Sequence, residues 1–414
     1  MTPENLRHKL GAMHEHIAGP PAKKTSPSTE RYPRRYHDMA SVLGAELRPH
    51  HAGAYVLKRS VYPFTYDHGS VSLGSLQSNG LLSLSAFTPE ECDDRVELSQ
   101  LVFFDTETTG LGGVGVVPFL CGCGSWTAEG FEVRQYTIPD YSDEAAMLEV
   151  LAREFGEDKW IVSYNGRAFD LPILRDRMIV NRIARQVPQA GHIDLLHGTR
   201  RLFRRRLADC TLTNIERQLF AFHRSGDIPG YLIPSVYFEW LSEEKLDMMP
   251  GVIEHNCLDI VSLAFLADHI ARVFATDGQS LSESDDLHSL ARVYGRRRQN
   301  DRVTGIFDRL IEQDSELEED VILFHASAFK RSGCWTQAVS LWQQLERSDS
   351  REAYWASLEL AKYYEHRRKD IRRAVDCAKR ARDICPYGTT HQAHLRRRLS
   401  RLTIKLGRTV PEKE

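Results

Sequence analysis

The sequence predicts an α/β domain with a mixed β-sheet covered by helices, followed by an all-α domain. Three observations lead to this prediction. After the apolar run Leu101–Phe104, two further strand-like segments, VVPFLCGCGSW and FEVRQYTI, are separated by turns that contain glycine. Segments with helical spacing then alternate with the strand-like segments WIVSYNG and HIDLLHG. Beyond about residue 283 the chain keeps helical spacing and has no strand pattern.

The length of 414 residues is enough for two or three domains. The sequence has no apolar run of the roughly 18 residues that a membrane span requires, and its N-terminus lacks an export pattern. We therefore expect a cytoplasmic protein without membrane attachment. Composition and pattern divide the chain into a flexible N-terminal segment (1–36), a strand-rich lead-in (37–98), the α/β domain (99–275) and the helical domain (283–405).

Cysteine and histidine residues give little indication of a metal site. Cys121 and Cys123 form the only close pair of cysteines, and no second pair follows at zinc-finger spacing. We therefore expect reduced thiols in the core. His50, His51 and His68 lie in the lead-in without an accompanying cluster of cysteines or acids, which favours incidental surface residues over metal ligands.

Two carboxylates follow directly on the first buried strand of the α/β domain. Asp105 and Glu107 are two positions apart, and residues i and i+2 of a strand point to the same face of a sheet. Beside a hydrophobic core, two such acids repel each other and lose solvation, and a bound cation removes both costs. Taken alone, this pair fits either a metal site or an acidic strand end in solvent.

Further acids follow other predicted elements. Asp170 lies in NGRAFD after the strand WIVSY, and Asp259 lies in HNCLD at the start of an apolar helix. His255 is four residues before Asp259 and therefore shares its helix face. Asp194, in HIDLLH, is a further acid expected near the same edge of the sheet.

Clustered carboxylates from separate elements are what two-metal phosphodiester hydrolysis requires. The candidate ligands are Asp105, Glu107, Asp170 and Asp259. Hard oxygen donors favour two Mg²⁺ or Mn²⁺ ions over zinc. A neutral His255 nearby can take the proton from the attacking water.

At this point the motifs resemble a known family. DTETTG, NGRAFD and HNCLD are similar to the three exonuclease motifs of the DEDD 3′→5′ exonucleases, whose fold is RNase H-like. The resemblance implies that the same four acids are the catalytic metal ligands. The histidine branch of that family has its His five residues before the last Asp, and the tyrosine branch has its Tyr four before. Here Glu254 lies five before Asp259 and His255 four before, so the identity of the general base stays open.

A larger set of segments resembles the YprB-type family, which joins an RNase H-like exonuclease domain to tetratricopeptide repeats. These segments are YPFTYDHG, TGLGGVGVVPFLCG, HIDLLHGTRRLFRRRL and DIPGYLIPSVYFEWL. The resemblance covers most of the chain from about residue 40. It implies a metal-dependent DNA exonuclease that acts in DNA repair with a helicase partner. The alternatives are an RNA exonuclease and a repeat-based scaffold with an inactive nuclease fold, although the complete set of four acids argues against the scaffold.

Arginines follow HIDLLHG on a predicted helix. The spacing of four puts Arg200 with Arg204, and Arg201 with Arg205, on neighbouring faces. Next to a nuclease site these four residues are predicted phosphate contacts for DNA, because lysine and arginine contacts supply much of the affinity for nucleic acids. The alternative is an ordinary solvated helix face.

The helical domain shows a weak repeat. Trp335 and Ala338 are matched 36 residues later by Ile371 and Ala374, close to the period of about 34 residues of tetratricopeptide repeats. From Arg351 to Arg408 the chain has 16 basic and 6 acidic residues, an excess of +10. Stacked repeats favour docking of a partner protein, whereas the basic excess favours contact with DNA. Both alternatives stay open.

We expect this repeat domain to have a core of its own. A chain that ends near Ala275 keeps all four acids and is therefore expected to fold and to retain metal-dependent cleavage. Failure of such a chain to fold would mean that the repeats complete the nuclease core.

Overall fold

The computed structural model describes residues 32–77, 81–88, 94–110, 115–184, 187, 190–313, 316–386 and 388–409. The predicted flexible segment falls mainly on residues 1–31, which lie outside the described residues. Its expected end at residue 36 is too late. Helix α1 (Arg34–Val42) begins at Arg34 and packs Tyr36 and Met39 into the core.

Eleven strands are present among the described residues. They are β1 (Glu46–His50), β2 (Gly53–Pro63), β3 (Asp67–His68), β4 (Val71–Ser72), β5 (Leu81–Ser83), β6 (Arg95–Glu97), β7 (Leu101–Thr108), β8 (Pro118–Trp126), β9 (Gly130–Thr137), β10 (Trp160–Ser163) and β11 (Gly191–Asp194). Seven of them form a mixed sheet in the order β1-β2-β9-β8-β7-β10-β11. Strands β7, β10 and β11 are parallel, and the others pair antiparallel. The predicted mixed sheet is confirmed.

The segment 37–98 is rich in strands, as predicted, but it is not separate from the sheet. Strand β2 pairs along its length with β9, and β1 pairs with β2. Without β2, strand β9 would be an edge strand with unpaired backbone groups. The lead-in therefore completes one side of the same sheet, and the strands β3 to β6 form two short hairpins outside it.

Thirteen further α-helices follow among the described residues. They are α2 (Glu144–Glu154), α3 (Asp170–Val180), α4 (Leu195–Phe203), α5 (Leu212–Phe220), α6 (Ile233–Glu243), α7 (Met249–Ala275), α8 (Ser284–Arg296), α9 (Asn300–Gln313), α10 (Glu319–Arg331), α11 (Trp335–Leu345), α12 (Arg351–Tyr363), α13 (Ile371–Asp383) and α14 (Thr389–Thr409). No helix in the described ranges is long and apolar enough to cross a membrane.

Alternating residues of β7 belong to two hydrophobic cores, one on each face of the sheet. Val102 and Phe104 pack with α2, α3 and α6. Leu101 and Phe103 belong to the core that contains most of the 27-residue helix α7. Because α7 crosses β7, β8 and β9, its side chains meet the strand that carries the first two acids.

The helical domain does not have the separate core that we expected. One cluster of buried apolar side chains continues from the sheet through α7 into α8, past Trp342 of α11 and on to Leu402 of α14. Leu287 and Leu290 of α8 are fully buried within this cluster. The C-terminal helices therefore share a core with the α/β domain. Helices α11 and α13 begin at Trp335 and Ile371, which matches the 36-residue repeat, while the tetratricopeptide class stays a prediction.

Candidate active site

Strand β7 presents two of the predicted acids from one face of the sheet. Its first four residues are buried, and Asp105 and Glu107 then alternate with the buried Thr106. Asp105 lies opposite Gly122 of β8, and the regular pairing is interrupted after Glu107. The two carboxylates therefore leave the sheet on the same side near the end of the strand.

Glycines on β8 allow helix α7 to lie close against this face. A Cβ atom added to Gly122 would overlap the side chains of Asn256 and Ile260, and one added to Gly124 would overlap Ile260. These glycines therefore determine how closely the helix approaches the sheet.

Asn256 uses this short distance to connect the helix to the acids. Its Nδ2 donates to Asp105 Oδ2 over 2.9 Å, and its Oδ1 accepts from Gln135 Nε2 over 2.9 Å. Gln135 Nε2 also donates to the carbonyl of Ile253 over 2.7 Å. These hydrogen bonds connect β9, α7 and the Asp105 carboxylate.

Asp170 joins the cluster at the start of α3. It is buried, and its Oδ1 accepts a hydrogen bond from Thr106 Oγ1 on β7. The acid at the helix start is thereby tied to the strand that carries Asp105 and Glu107. This is the position that the motif NGRAFD predicted.

Asp194 lies at the same end of the sheet, but its carboxylate is used by backbone groups. Oδ1 accepts the N–H groups of Asn165 and Leu196, and Oδ2 accepts the N–H group of Arg167, over 2.9, 3.1 and 3.1 Å. Asp194 thus caps α4 and fixes the loop that precedes Asp170, in which Asn165 has a φ of 66°. Its role in the structure is to support that loop.

Asp259 lies against a buried arginine. The side chain of Arg224 is 4% exposed, and its Nη2 donates to both Asp259 Oδ1 and Glu216 Oε1. Arg224 Nε donates to Glu216 Oε2 over 2.8 Å. Burial by itself would lower the pKa of Arg224, but its hydrogen bonds to Glu216 and the charge of Asp259 raise that pKa above its usual value. The guanidinium therefore stays charged beside Asp259.

His255 points into the same cluster from α7. Its Nε2 lies 3.7 Å from Asp259 Oδ2, and its Nδ1 lies 2.7 Å from Asp227 Oδ1. The two nitrogens thus face two different carboxylates. Glu254, which has the spacing of the histidine branch, is exposed.

His68 is not the surface residue that we expected. It is fully buried, and its ring stacks on Phe222 with the ring centroids 3.8 Å apart. Its Nε2 lies 3.0 Å from Ser262 Oγ, which donates to Glu216. Burial lowers the pKa of His68 to about 3, so the ring is neutral. The surface prediction was wrong because the hairpin β3–β4 folds onto the face of α7 that carries Ser262.

The carboxylates of the cluster change one another's acidity. Burial, followed by the charges of Asp259 and Asp170, raises the pKa values of Asp105 and Glu107 well above their usual range. Burial also raises the pKa of Asp170 to about 6, although the hydrogen bond from Thr106 opposes the shift. The site therefore has a charge excess that bound cations would neutralise.

The donor chemistry of the cluster fits two hard divalent ions. All four candidate ligands offer carboxylate oxygens, which Mg²⁺ and Mn²⁺ prefer. Within the described ranges, no three of these acids have ligand atoms that all lie within 4.8 Å of one another. Carboxylates that hold a pair of ions from opposite sides need not approach one another that closely, because the ions themselves are about 3.5–4 Å apart.

An acid does accompany two of the histidines of the lead-in, contrary to the expectation. His51 Nε2 lies 3.4 Å from Glu149 Oε1, and His50 Nε2 lies 3.8 Å from Glu149 Oε2. The three residues form the only group within the described ranges whose potential ligand atoms all lie within 4.8 Å. Glu149 comes from α2, a proximity across about 100 residues that no local pattern indicated.

The predicted arginine contacts divide into two pairs. Arg201 donates to the carbonyl groups of Phe87 and Thr88, and Arg205 forms ion pairs with Asp285, Glu318 and Asp320. These two side chains are engaged within the protein rather than exposed for phosphate, because neighbouring segments supply acceptors. Arg200 and Arg204 are exposed, and their contact with nucleic acid stays a prediction.

Three residues around Asp259 and His255 were missed by the sequence analysis. Arg224 and Asp227 lie in HRSGDIPG, where two opposite charges flank a glycine-containing turn. That turn was the only available indication. Glu216 lies within a helix and has no distinguishing pattern, because its partners come from distant segments.

Comparison with known proteins gives two matches. The RNase_H superfamily model matches residues 102–271, a range that runs from β7 into the second half of α7 and contains all four acids. A Bacillus subtilis (strain 168) protein with the printed name "Uncharacterized protein YprB" is 32% identical over 333 residues. The match covers 79% of this chain and 80% of that relative.

Proposed function

The chain belongs to the YprB family and contains an RNase H superfamily domain, and from this premise we propose that it is a metal-dependent nuclease that removes nucleotides from the 3′ end of DNA. One observation carries the proposal. Four carboxylates from β7, α3 and α7, namely Asp105, Glu107, Asp170 and Asp259, converge at one end of the sheet. Their motifs resemble those of the DEDD exonucleases, in which four such acids hold the metals.

These four acids would hold two Mg²⁺ or Mn²⁺ ions. When bound, the ions would lower the pKa of a water and neutralise charge on the leaving oxygen of the phosphodiester. The protein keeps two of the ligands in place without metal, because Asn256 donates to Asp105 and Thr106 donates to Asp170. Outer hydrogen bonds of this kind orient metal ligands and strengthen binding.

His255 is our candidate for the general base. With the proton of its Nδ1 donated to Asp227, Nε2 carries the lone pair and faces the acids near Asp259. A base within reach of the attacking water can take its proton. The Asp227 carboxylate fixes the ring and stabilises the imidazolium that forms.

We also place this activity in DNA repair, with a helicase as the partner of the helical domain. The support for both statements is the resemblance of the motifs to the YprB-type family. The domain offers a basic surface between Arg351 and Arg408, which can contact either a protein or the DNA that a helicase delivers.

Digestion of labelled oligonucleotides tests the proposal. Single-stranded DNA, duplex DNA and RNA are labelled at the 5′ end or at the 3′ end and incubated with Mg²⁺ or Mn²⁺. We expect stepwise shortening of 5′-labelled DNA, immediate release of the 3′ label, and no digestion in EDTA.

Replacing each acid isosterically provides the control for this digestion. We expect Asp105→Asn, Glu107→Gln, Asp170→Asn and Asp259→Asn each to abolish digestion while circular dichroism stays unchanged. A variant with near-normal turnover would not have lost a metal ligand. Preferential digestion of RNA would replace DNA as the substrate, and no digestion of any substrate would favour the inactive scaffold.

A further inference from the structure

Two neighbouring cavities rich in arginine lie where the α/β domain meets the helical domain. The larger, of about 1100 Å³, lies between β11, α4 and α8, and the smaller, of about 600 Å³, lies between α8 and α10. Arg292 and Arg296 of α8 line both cavities. Their spacing of four residues puts them on one face of the helix, so the two cavities adjoin along that face.

The arginines of these cavities differ in how they are used. Arg201 and Arg205 are engaged by carbonyl groups and acids of the protein, as described above. Five others are exposed and form no ion pair with any described residue. They are Arg167, Arg200, Arg204, Arg292 and Arg296. We call these five residues the arginine track.

Among the residues that the structure describes, few acids oppose this positive charge. Asp94 and Asp194 line the larger cavity, and the Asp194 carboxylate already accepts three backbone N–H groups. The smaller cavity contains no acid among its lining residues and adds Arg298 and Arg331. The track therefore offers unbalanced positive charge to an anionic ligand.

Aromatic rings accompany the arginines. Trp160 lines the larger cavity and packs over Gly191, where a Cβ atom would overlap the indole ring. Phe324 lines the smaller cavity, and the guanidinium of Arg292 lies 6.0 Å from the centroid of its ring. Basic grooves interleaved with aromatic rings are typical of single-stranded nucleic acid binding, because the bases stack while the phosphates contact arginine.

The track begins next to the acid cluster. Arg167 lies three residues before Asp170, in the loop that Asp194 holds by its backbone. Strands β7, β10 and β11 are parallel, so their ends lead in order from Asp105 to this loop and then to α4. Arg167 also lines the larger cavity, so this loop lies between the acids and that cavity.

We propose that the arginine track binds the sugar–phosphate backbone of single-stranded nucleic acid and guides it from the acids onto α8 and α10. The direction toward the acids rests on the proposed nuclease function, whereas the binding itself does not. The helical domain is thus part of the binding site for nucleic acid.

Binding of a fluorescein-labelled oligothymidylate of about 20 nucleotides, measured by anisotropy in EDTA, tests the track. The double variant Arg292→Gln/Arg296→Gln removes two charges from α8 and touches none of the acids. We expect at least about tenfold weaker binding near 0.1 M salt. The slope of log K against log salt should become shallower by about 1.4, at about 0.7 for each lost phosphate contact on a single strand.

The matched control is Arg59→Gln/Arg347→Gln, which removes two exposed arginines outside both cavities. Its binding and slope should remain those of the wild type. An unchanged salt slope in the α8 variant, or an equal loss of affinity in the control, would overturn the proposal that the track binds nucleic acid. Equally tight binding of a blunt duplex through the same arginines would overturn the assignment to single strands.

A second measurement distinguishes a failure of the track proposal from a failure of the proposed nuclease function. Hydrolysis of bis(p-nitrophenyl) phosphate with Mn²⁺ reports on the acids alone, because this small diester does not extend along the track. We expect the α8 variant to hydrolyse it at the wild-type rate. If the wild type hydrolyses no diester but binds the oligonucleotide with the expected slope, the nuclease proposal fails and the track stands.

Discussion

The acid cluster and the arginine track hold like charges in opposite ways. The four carboxylates come from three elements and are buried or half-buried, and burial together with neighbouring acids raises the pKa values of Asp105, Glu107 and Asp170. The arginines of the track are exposed and stand on helix faces and in a loop, where water solvates each guanidinium. Bound cations would therefore stabilise the acid cluster, whereas the arginines of the track are already solvated in the absence of an anion.

The two regions also differ in how far neighbouring residues depend on one another. The charges of Asp259 and Asp170 both act on Asp105 and Glu107, so we expect replacement of one acid to change the acidity of others. In the arginine-rich segment, by contrast, neighbours in sequence have different roles, because acids of α8 and α10 engage Arg205 and leave Arg204 exposed.

Truncation after Ala275 is the most severe change, because it removes two of the five arginines of the track and none of the acids. The core that α7 shares with α8 would be opened at Leu287 and Leu290. We now expect the truncated chain to lose cooperative unfolding, a loss of at least about 5 kcal/mol, the lower range of total stability for a domain. Urea unfolding followed by circular dichroism measures this.

A chain that ends at Leu345 is the control for truncation. It keeps α8 to α11 and the acids that pair with Arg205, and it loses only the part of the shared core that lies in α12 to α14, so it should still unfold cooperatively. If the chain ending at Ala275 also unfolds cooperatively and hydrolyses a small diester at the full rate, the helical domain does have an independent core.

A smaller effect, on kcat, is expected from replacing the candidate general base His255 or its partner Asp227. Asp227→Asn should lower kcat about 10–100-fold, the usual cost of removing an outer carboxylate, and His255→Gln should lower it about 10²–10⁴-fold. The pH dependence of kcat in Mn²⁺ distinguishes catalysis from folding, because loss of the base should remove the acidic limb of the profile. A His255→Gln enzyme with an unchanged profile would exclude His255 as the base.

The sequence predicted the position of each acid on its own strand or helix because that geometry is local. Spacing of two in a strand and of four in a helix placed Asp105, Glu107, His255 and Asp259 correctly, and the turn motif located Asp170. Features that depend on partners distant in sequence could not be predicted from local spacing. Arg224 and Glu216 are joined only by the tertiary fold, His68 is buried by a hairpin with a weak pattern, and the shared core crosses the expected domain boundary.

The neighbouring residues Arg204 and Arg205 are expected to differ in their effects on stability and on oligonucleotide binding. Arg205→Gln should lower the free energy of unfolding by about 1–2 kcal/mol, because it removes three partly exposed ion pairs, each contributing at most about 1 kcal/mol. Arg204→Gln should change it by less than about 0.5 kcal/mol. In oligonucleotide binding the order should reverse, with a shallower salt slope only for Arg204→Gln. Equal effects of both variants in either measurement would contradict the division of roles.

The smallest expected effect is the pH dependence that the acid cluster imposes on the metal-free protein. Asp170 has an ordinary pKa of 3.8 and a folded pKa of about 6, so between these values the folded state binds its proton more tightly than the unfolded state. Stability from this group is therefore largest near pH 4 and falls as the pH rises to about 6, by about 1–3 kcal/mol. Asp105 and Glu107, with pKa values raised in the same direction, extend the fall to higher pH.

Urea unfolding in EDTA at pH 4, 5, 6 and 7 measures this fall, with Asp170→Asn as the reference. Acids whose pKa values are lowered by arginine and lysine partners, such as Asp320 and Glu359, cause the opposite trend in both proteins and cancel in the difference. We expect the advantage of the asparagine variant to grow from pH 4 to pH 6. In the wild type, Mg²⁺ should offset much of the fall, because cations stabilise the ionised carboxylates. Parallel pH profiles in the two proteins would mean that Asp170 is not strained by its neighbours, and the contrast with the solvated arginines would disappear.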